Sequence, residues 1–450
     1  MSKIAASEIA FIEHFDSFNS MMTSTQPNWL NQKRADAFTN YRTNGLPTGR
    51  RGNESWKYTD VRDISNTAFA NSSEDLITSI TEKDLLDSSH LNKNWSTLVF
   101  INGVYSSSLS TQNPNDGIQI TNIKDALGSH GQIIERHLGK YIAPDDDPFV
   151  LLNTAFINDG AFIYIPKGIA SQDPIHVIYF STSETDPTIS HPRTLIVTEE
   201  FSETTLIESY VGTPKAKYFT NNVTEIVIGE ESRVDHYRLL LDNPDSFHIG
   251  TTVVHQEKAS TFSSTSLQKG AALGRHNLTS TLAAPQSTCN LNGLYMTTGS
   301  QHIDNYINIE HIEPHTTSRL YYKGILDGSS RAIFGGTVTV QRGAMKTDAQ
   351  QKDKNLLLSR EAEVDSKPAL FIYADDVICG HGATAGHMDD NSVFYMQSRG
   401  IDLLTARRML IKAFASEIIE EVKIDSLREY LEDLFVSFED ELTLLQASSI

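Results

Sequence analysis

The sequence predicts a mainly β protein in which a long stack of short strands lies between helical ends. Segments rich in β-branched and aromatic residues begin near Trp95 and recur through the middle of the chain. Polar turn clusters separate them at nearly constant spacing, and helical periodicity is confined to the first and last parts.

At the N-terminal end, apolar side chains between Ile4 and Met22 fall at Ile9, Phe11, Ile12, Phe15, Phe18 and Met22, the spacing of a helix with one buried face. A second helix is expected from about Trp29, carrying Ala37, Phe38 and Tyr41, until Gly45-Leu46-Pro47 stops it. These elements define an N-terminal helical domain, residues 1–94.

The next unit, residues 95–400, is read as β. Leu98-Val-Phe-Ile101, Ala161-Phe-Ile-Tyr-Ile165, His176-Val-Ile-Tyr-Phe180, Thr194-Leu-Ile-Val197 and Glu225-Ile-Val-Ile228 are each bounded by Gly, Pro, Asn or Ser. No helical segment of any length is expected among them, which argues against a doubly wound α/β domain, whose crossovers need helices. Turn clusters begin at Glu199, Glu230, Glu257, Pro285 and Pro314, roughly 27 to 31 residues apart and within the range of solenoid repeats. Small hydroxyl residues followed closely by apolar ones recur beside these turns, as in Ser232-Arg-Val, Thr288-Cys and Ser318-Arg-Leu. A parallel β-helix accounts for the pattern; an antiparallel sandwich is the competing arrangement.

Residues 401–450 return to helical periodicity. Leu403, Ala406, Leu410, Ala413, Phe414 and Ile418 mark one face. Ser426-Leu-Arg-Glu429 has the form of a capping box, and Leu427, Tyr430, Leu431, Leu434, Phe435, Phe438 and Leu442 form a second stripe. A terminal helix pair of this kind can offer surplus apolar surface to a partner, so its removal is expected to leave the β-helix soluble.

Charge and composition exclude several functions. A net charge of -20 opposes phosphate contacts, so nucleic acid is not expected as a partner. No apolar run approaches the roughly 18 residues of a membrane span. The start, Met1-Ser-Lys-Ile-Ala-Ala-Ser-Glu8, does not read as a secretory signal, and the 2 cysteines suit a reducing cytosol. A cytoplasmic location is expected.

No Gly-x-x-x-x-Gly-Lys-Ser/Thr or Gly-x-Ser-x-Gly pattern occurs, and the spacing in Gly380-His-Gly-Ala-Thr-Ala-Gly386 is wrong for a dinucleotide loop. Pro314 breaks any helix that would pair His311 with His315, leaving two ordinary surface or corner histidines. Asp375 and Asp376 would point to opposite faces of a strand and could not flank one substrate. The chain is therefore expected to be non-catalytic.

Cys379-Gly-His381 is the one constellation that suggests a metal. Residues i and i+2 of a strand share a face, so the thiolate and imidazole could hold one iron, while Gly380 and Gly382 leave the backbone bare for close approach. The alternative is a small buried hydrophobe beside an ordinary histidine. Iron–sulfur clusters take about four protein ligands, mostly thiolates, which Cys289 and Cys379 alone do not supply. Any cluster would be shared with another chain and transient, with none held stably by this chain alone.

The stretch Tyr322-Lys-Gly-Ile-Leu-Asp-Gly-Ser-Ser-Arg-Ala-Ile-Phe-Gly-Gly336 resembles the central signature of the SufD family of iron–sulfur cluster assembly proteins. Lys346-Thr-Asp-Ala-Gln-Gln351, Asn355-Leu-Leu-Leu-Ser359, Ala374-Asp-Asp-Val-Ile-Cys-Gly-His-Gly-Ala383 and Phe394-Tyr-Met-Gln-Ser-Arg-Gly-Ile401 are similar to further motifs of that family. So are Gly45-Leu-Pro-Thr-Gly-Arg50 and Glu54-Ser-Trp-Lys-Tyr-Thr59 near the start. Met396 stands where the homologous SufB carries a cysteine, which favours SufD and moves thiolate ligation to the partner.

The resemblance implies a right-handed parallel β-helix flanked by N-terminal and C-terminal α-helical domains. It implies assembly with a SufB homologue and the ABC-type ATPase SufC, the latter engaged by the C-terminal helices, with a homodimer possible when partners are missing. It also implies that His381 lies at the SufB interface and takes part in building the nascent cluster, the role of Cys379 being less defined. Two other readings stay open: a β-helical carbohydrate-active enzyme, and a structural β-solenoid that never touches metal.

Overall fold

Strands of ten residues such as Arg331–Val340 and Thr288–Thr297 alternate their side chains between two faces, and the inward set is small or apolar. Ala332, Phe334, Val338 and Val340 are all buried, whereas Thr337 and Thr339 between them face outward. Such strands bury one face only by stacking, and the chain does this as a parallel β-solenoid of about 8 turns. The computed structural model describes residues 6–23, 26–48, 54–70, 74–113, 117–142 and 147–447. Ile4, Gly49 and Arg50, and the side chains of Ile9 and Leu442, lie outside what is described.

Two sheets form the walls. One runs from Ser96–Ile101 through Ile175–Ser181, Glu203–Gly212 and five further strands to Ile378–His387; the other runs from Gln119–Asn122 to Glu363–Ile372. Gln119–Asn122 pairs antiparallel with Ala161–Ile165, but every pairing between successive coils after it is parallel, with no slip between Thr317–Leu326, Asp348–Leu357 and Ile378–His387. This excludes the antiparallel sandwich.

The repeat is set at one corner. Phe201, Glu231, Ala259, Gln286, His315 and Lys346 all have left-handed φ, between 54° and 66°. For a non-glycine residue that conformation costs about 1 kcal/mol or more. Each corner recovers a backbone hydrogen bond to the next coil: Glu231 N–H donates to the Lys258 carbonyl at 2.9 Å, and His315 N–H to that of Met345 at 2.9 Å. These are the turn clusters of the sequence, one per coil.

Helices Ala6–Thr23 and Asn28–Asn44 form where the periodicity places them, and Gly45 ends the second with φ 65°. Phe11, Phe15, Phe38 and Tyr41 pack with Phe149, Leu152 and Phe219 of the solenoid region. Three helices also fall within the β unit, contrary to expectation: Ile123–His137 and Pro148–Ala155 interrupt it, and Asp390–Ser398 follows its last strand. The first contains Gly128 and Gly131 and kinks at His130. The second, Phe149-Val-Leu-Leu152, reads equally well as a buried strand.

The C-terminal helices correct a larger expectation. Leu403–Ile419 and Asp425–Ala447 lie against the outer face of the first sheet. Ile411, Ala415, Ile418, Leu427, Leu431, Phe435 and Phe438 form one cluster with Tyr237, Leu239, Leu267, Leu294, Met296 and Ile325. The apolar stripe is therefore consumed within the chain. Leu403, placed on the buried face by sequence, is 47% exposed, and Ala413 is exposed too. Ser426 lies inside the second helix and its hydroxyl sits 3.3 Å from His90 Nε2, so it is not the cap.

Candidate functional site

The solenoid ends without a lid. Ile378–His387 is the last strand of one sheet and Glu363–Ile372 the last of the other, and among the described residues no strand pairs with their outer edges. None of their residues is buried, whereas each strand of the coils before them keeps several buried, four of them even in Asp348–Leu357.

Register fixes what this last coil presents. Cys379 pairs with Ala349, and His381 with Gln351, in rows that continue inward from Ser318 and Cys289 and from Leu320 and Leu291. Both side chains thus belong to the inward face, as the i, i+2 spacing requires. Cys379 is half-buried against the apolar core, and burial pushes its thiol above the usual range, so metal binding must displace a proton. His381 is exposed at the mouth. On the outer face, a Cβ at Gly382 would meet nothing within 4 Å, and one at Gly380 only the Gln350 side chain, nearest at 3.0 Å. The backbone there is bare, as expected.

The other sequence candidates sit apart. Cys289 is fully buried and its thiol is pushed up to about 12, which makes it an inert core residue. His311 is buried rather than superficial, 2.7 Å from Thr316 Oγ1 and 2.9 Å from Ser318 Oγ, while His315 occupies a corner. Asp375 and Asp376 lie in the turn before the last strand, not in a strand; the Asp376 carbonyl accepts from Lys346 N–H and its carboxylate pairs with Lys346 Nζ. Among the described residues no three His, Cys, Asp or Glu side chains gather as a metal site.

One coil below the mouth lies a polar cluster that sequence reasoning missed. Asp353, only 1% exposed, accepts from Ser366 Oγ at 2.8 Å, Asn355 Nδ2 at 2.7 Å and Tyr295 OH at 3.4 Å. Deeper inside, Glu208 accepts from Thr224 Oγ1 at 2.9 Å and lies 3.1 Å from His236 Nε2. The signal was present: in Arg233-Val-Asp-His-Tyr-Arg238, a period of two puts His236 and Arg238 on the same face as Val234.

Burial pushes the Asp353 carboxyl up to about 6, its three donors only partly opposing the shift. The folded chain therefore holds this proton more tightly than the unfolded chain, and stability falls as pH rises from about 4 to about 6. The loss is about 3 kcal/mol. Asp353→Asn, which cannot ionise, is expected to gain on the natural chain over that window in urea melts at pH values from about 4 to 7. Parallel curves would show that the carboxyl is not destabilised in the fold.

The stacked parallel coils, with Cys379 and His381 on the last of them, define the chain as a protein of the β-solenoid class. The comparisons supply the family. Residues 179–414 match the SUF system FeS cluster assembly SufBD core domain, and residues 5–177 match the SufBD protein N-terminal region. The chain is 33% identical over 420 residues to an iron–sulfur cluster assembly SufBD family protein of Synechocystis, covering 91% of each. It is 32% identical over 388 residues to the iron–sulfur cluster assembly protein SufD of Escherichia coli, covering 86% of this chain and 87% of that one. To the chloroplastic protein ABCI7 of Arabidopsis thaliana it is 32% identical, covering 85% and 81%. The chain belongs to the SufBD family of iron–sulfur cluster assembly proteins, among the homologues of SufD.

Proposed function

We propose that this chain is a non-catalytic scaffold subunit of a SufBCD complex in the cytoplasm. In this reading a nascent cluster forms at its open end, between His381, with Cys379 beside it, and the thiolates of a SufB homologue. The observation that carries the reading is the placement of both residues on an unpaired terminal coil, in a chain with only 2 cysteines. Two ligands fall short of the about four that a cluster needs, and an open edge is where a second chain can add the rest.

The rim has the chemistry of an interface. Phe371, Tyr373, Ile378, Phe394 and Tyr395 are large, apolar or aromatic, and more than half exposed. A SufC-type ATPase is assigned to the outer surface of the C-terminal helices, where Leu403, Leu404 and Met409 remain exposed after the inner face is used. No helix among the described residues is long and apolar enough to cross a membrane.

The test is to co-purify the chain with candidate SufB and SufC proteins and record visible absorption after anaerobic reconstitution. Stoichiometric cluster absorption in the complex and none in the chain alone is expected. A durable cluster on the isolated chain, or glycan cleavage by it, would overturn the reading.

A further inference from the structure

Several motifs singled out in the sequence meet inside the tube just below the mouth. Gly336 closes one, Gln351 closes another, and His381 lies in a third. Gln351 is the residue directly beside His381 in the parallel register, on a neighbouring strand ~4.8 Å away, and on the same inward face. It is 1% exposed.

The orientation of the Gln351 amide is determined. Its Nε2 donates to the Gly336 carbonyl at 3.1 Å, and a carbonyl can only accept, so the nitrogen end faces Gly336. Gly336 must lack a side chain for this to happen, because a Cβ there would stand 2.3 Å from Gln351 Nε2 and 2.8 Å from its Cδ. The other end of the amide, Oε1, is buried and has no hydrogen-bond partner among the described residues. Leaving a buried acceptor unsatisfied costs about 1–3 kcal/mol, so it calls for an explanation. The neighbouring side chain in the row is an imidazole with an N–H to give.

We infer that Gln351 is a positioning residue for His381: its Oε1 accepts the N–H of one ring nitrogen and thereby aims the lone pair of the other at incoming iron. The inference rests on the proposed role of His381 as a ligand. A metal-bound histidine commonly donates its second ring N–H to an acceptor of this kind, which fixes the tautomer and raises the basicity of the ligating nitrogen. An amide oxygen does so without adding charge. It thus suits a coil that already buries the Asp353 carboxyl. Gly336 is then required indirectly, as the residue that holds the amide in place.

The test compares the natural chain with Gln351→Met, which keeps the length and loses the acceptor, and Gln351→Glu at a pH low enough to keep its buried carboxyl protonated, so that its O–H still donates to Gly336 and its carbonyl still accepts. In the metal-free full chain, ¹⁵N-histidine NMR reads the tautomer of His381, its signals assigned by their absence in His381→Ala. One dominant tautomer is expected in the natural chain and in Gln351→Glu, and a mixture of both in Gln351→Met. After reconstitution in the complex, cluster yield should fall about 10-fold in Gln351→Met and recover in Gln351→Glu. An unchanged tautomer in Gln351→Met would overturn the inference and leave His381 free to be a ligand. Full cluster yield in His381→Ala would instead remove the reading beneath it, whatever the tautomer shows.

Discussion

His381→Ala is expected to leave the chain folded and assembled while lowering cluster accumulation on the complex by at least about tenfold. The fold should not notice the change. The ring is exposed on the final coil, and beyond the hydrogen bond inferred to Gln351 it has none among the described residues, so the loss should stay within about 1 kcal/mol. The chemistry should notice it, because the other histidine in that strand's inward register, His387, stands six residues away, about 20 Å along the strand and against the Leu357 carbonyl, and Cys379 is the strand's one thiol. Gel filtration of the complex and its visible absorption after anaerobic reconstitution separate the two effects. Wild-type absorption in an intact complex would end the case for His381.

Deletion of residues 401–450 is expected to yield insoluble protein, not a free solenoid that has merely lost an ATPase. The deletion would uncover Tyr237, Leu239, Leu267, Leu294, Met296 and Ile325, each at most 4% exposed in the intact chain. At about 1.5–3 kcal/mol for each such side chain, roughly 10 kcal/mol of burial disappears, comparable to the whole stability of a domain. Leu403→Glu combined with Leu404→Glu is the informative change, since both residues are exposed and neither belongs to that cluster. The double variant should stay soluble and lose ATPase in a pull-down. Soluble, two-state material from the deletion would contradict the packing argument, and retained ATPase in the double variant would move the contact elsewhere.

The parts of the molecule that were legible in the sequence are those where one period dominates. The corner clusters at Glu199, Glu230, Glu257, Pro285 and Pro314 announced the coils because each coil repeats one left-handed turn. Cys379 and His381 could be put on one face from alternation alone. The helix Pro148–Ala155 was hidden by its uniform apolarity, although Asp147, whose carboxylate accepts from Phe149 N–H at 2.8 Å, and Pro148 at the first position were readable start signals. The face of Leu403–Ile419 was placed in part: Ala406 and Ile418 are buried as the pattern has them, but tertiary packing chose Ile411 and Ala415 over Leu410 and Ala413, which the pattern offered equally well. Gln351 and Asp353 were passed over because polar residues in a strand are normally assigned to the solvent side, and here they fill the tube.

An unfinished coil has a cost for the molecule that carries it. Its free peptide groups and greasy rim invite any strand of suitable register, including that of an identical copy. In the proposed complex, a cell that makes this subunit in excess of its partner would accumulate stacked orphans rather than idle monomers, so balanced synthesis of the two chains would become a requirement of solubility as well as of assembly.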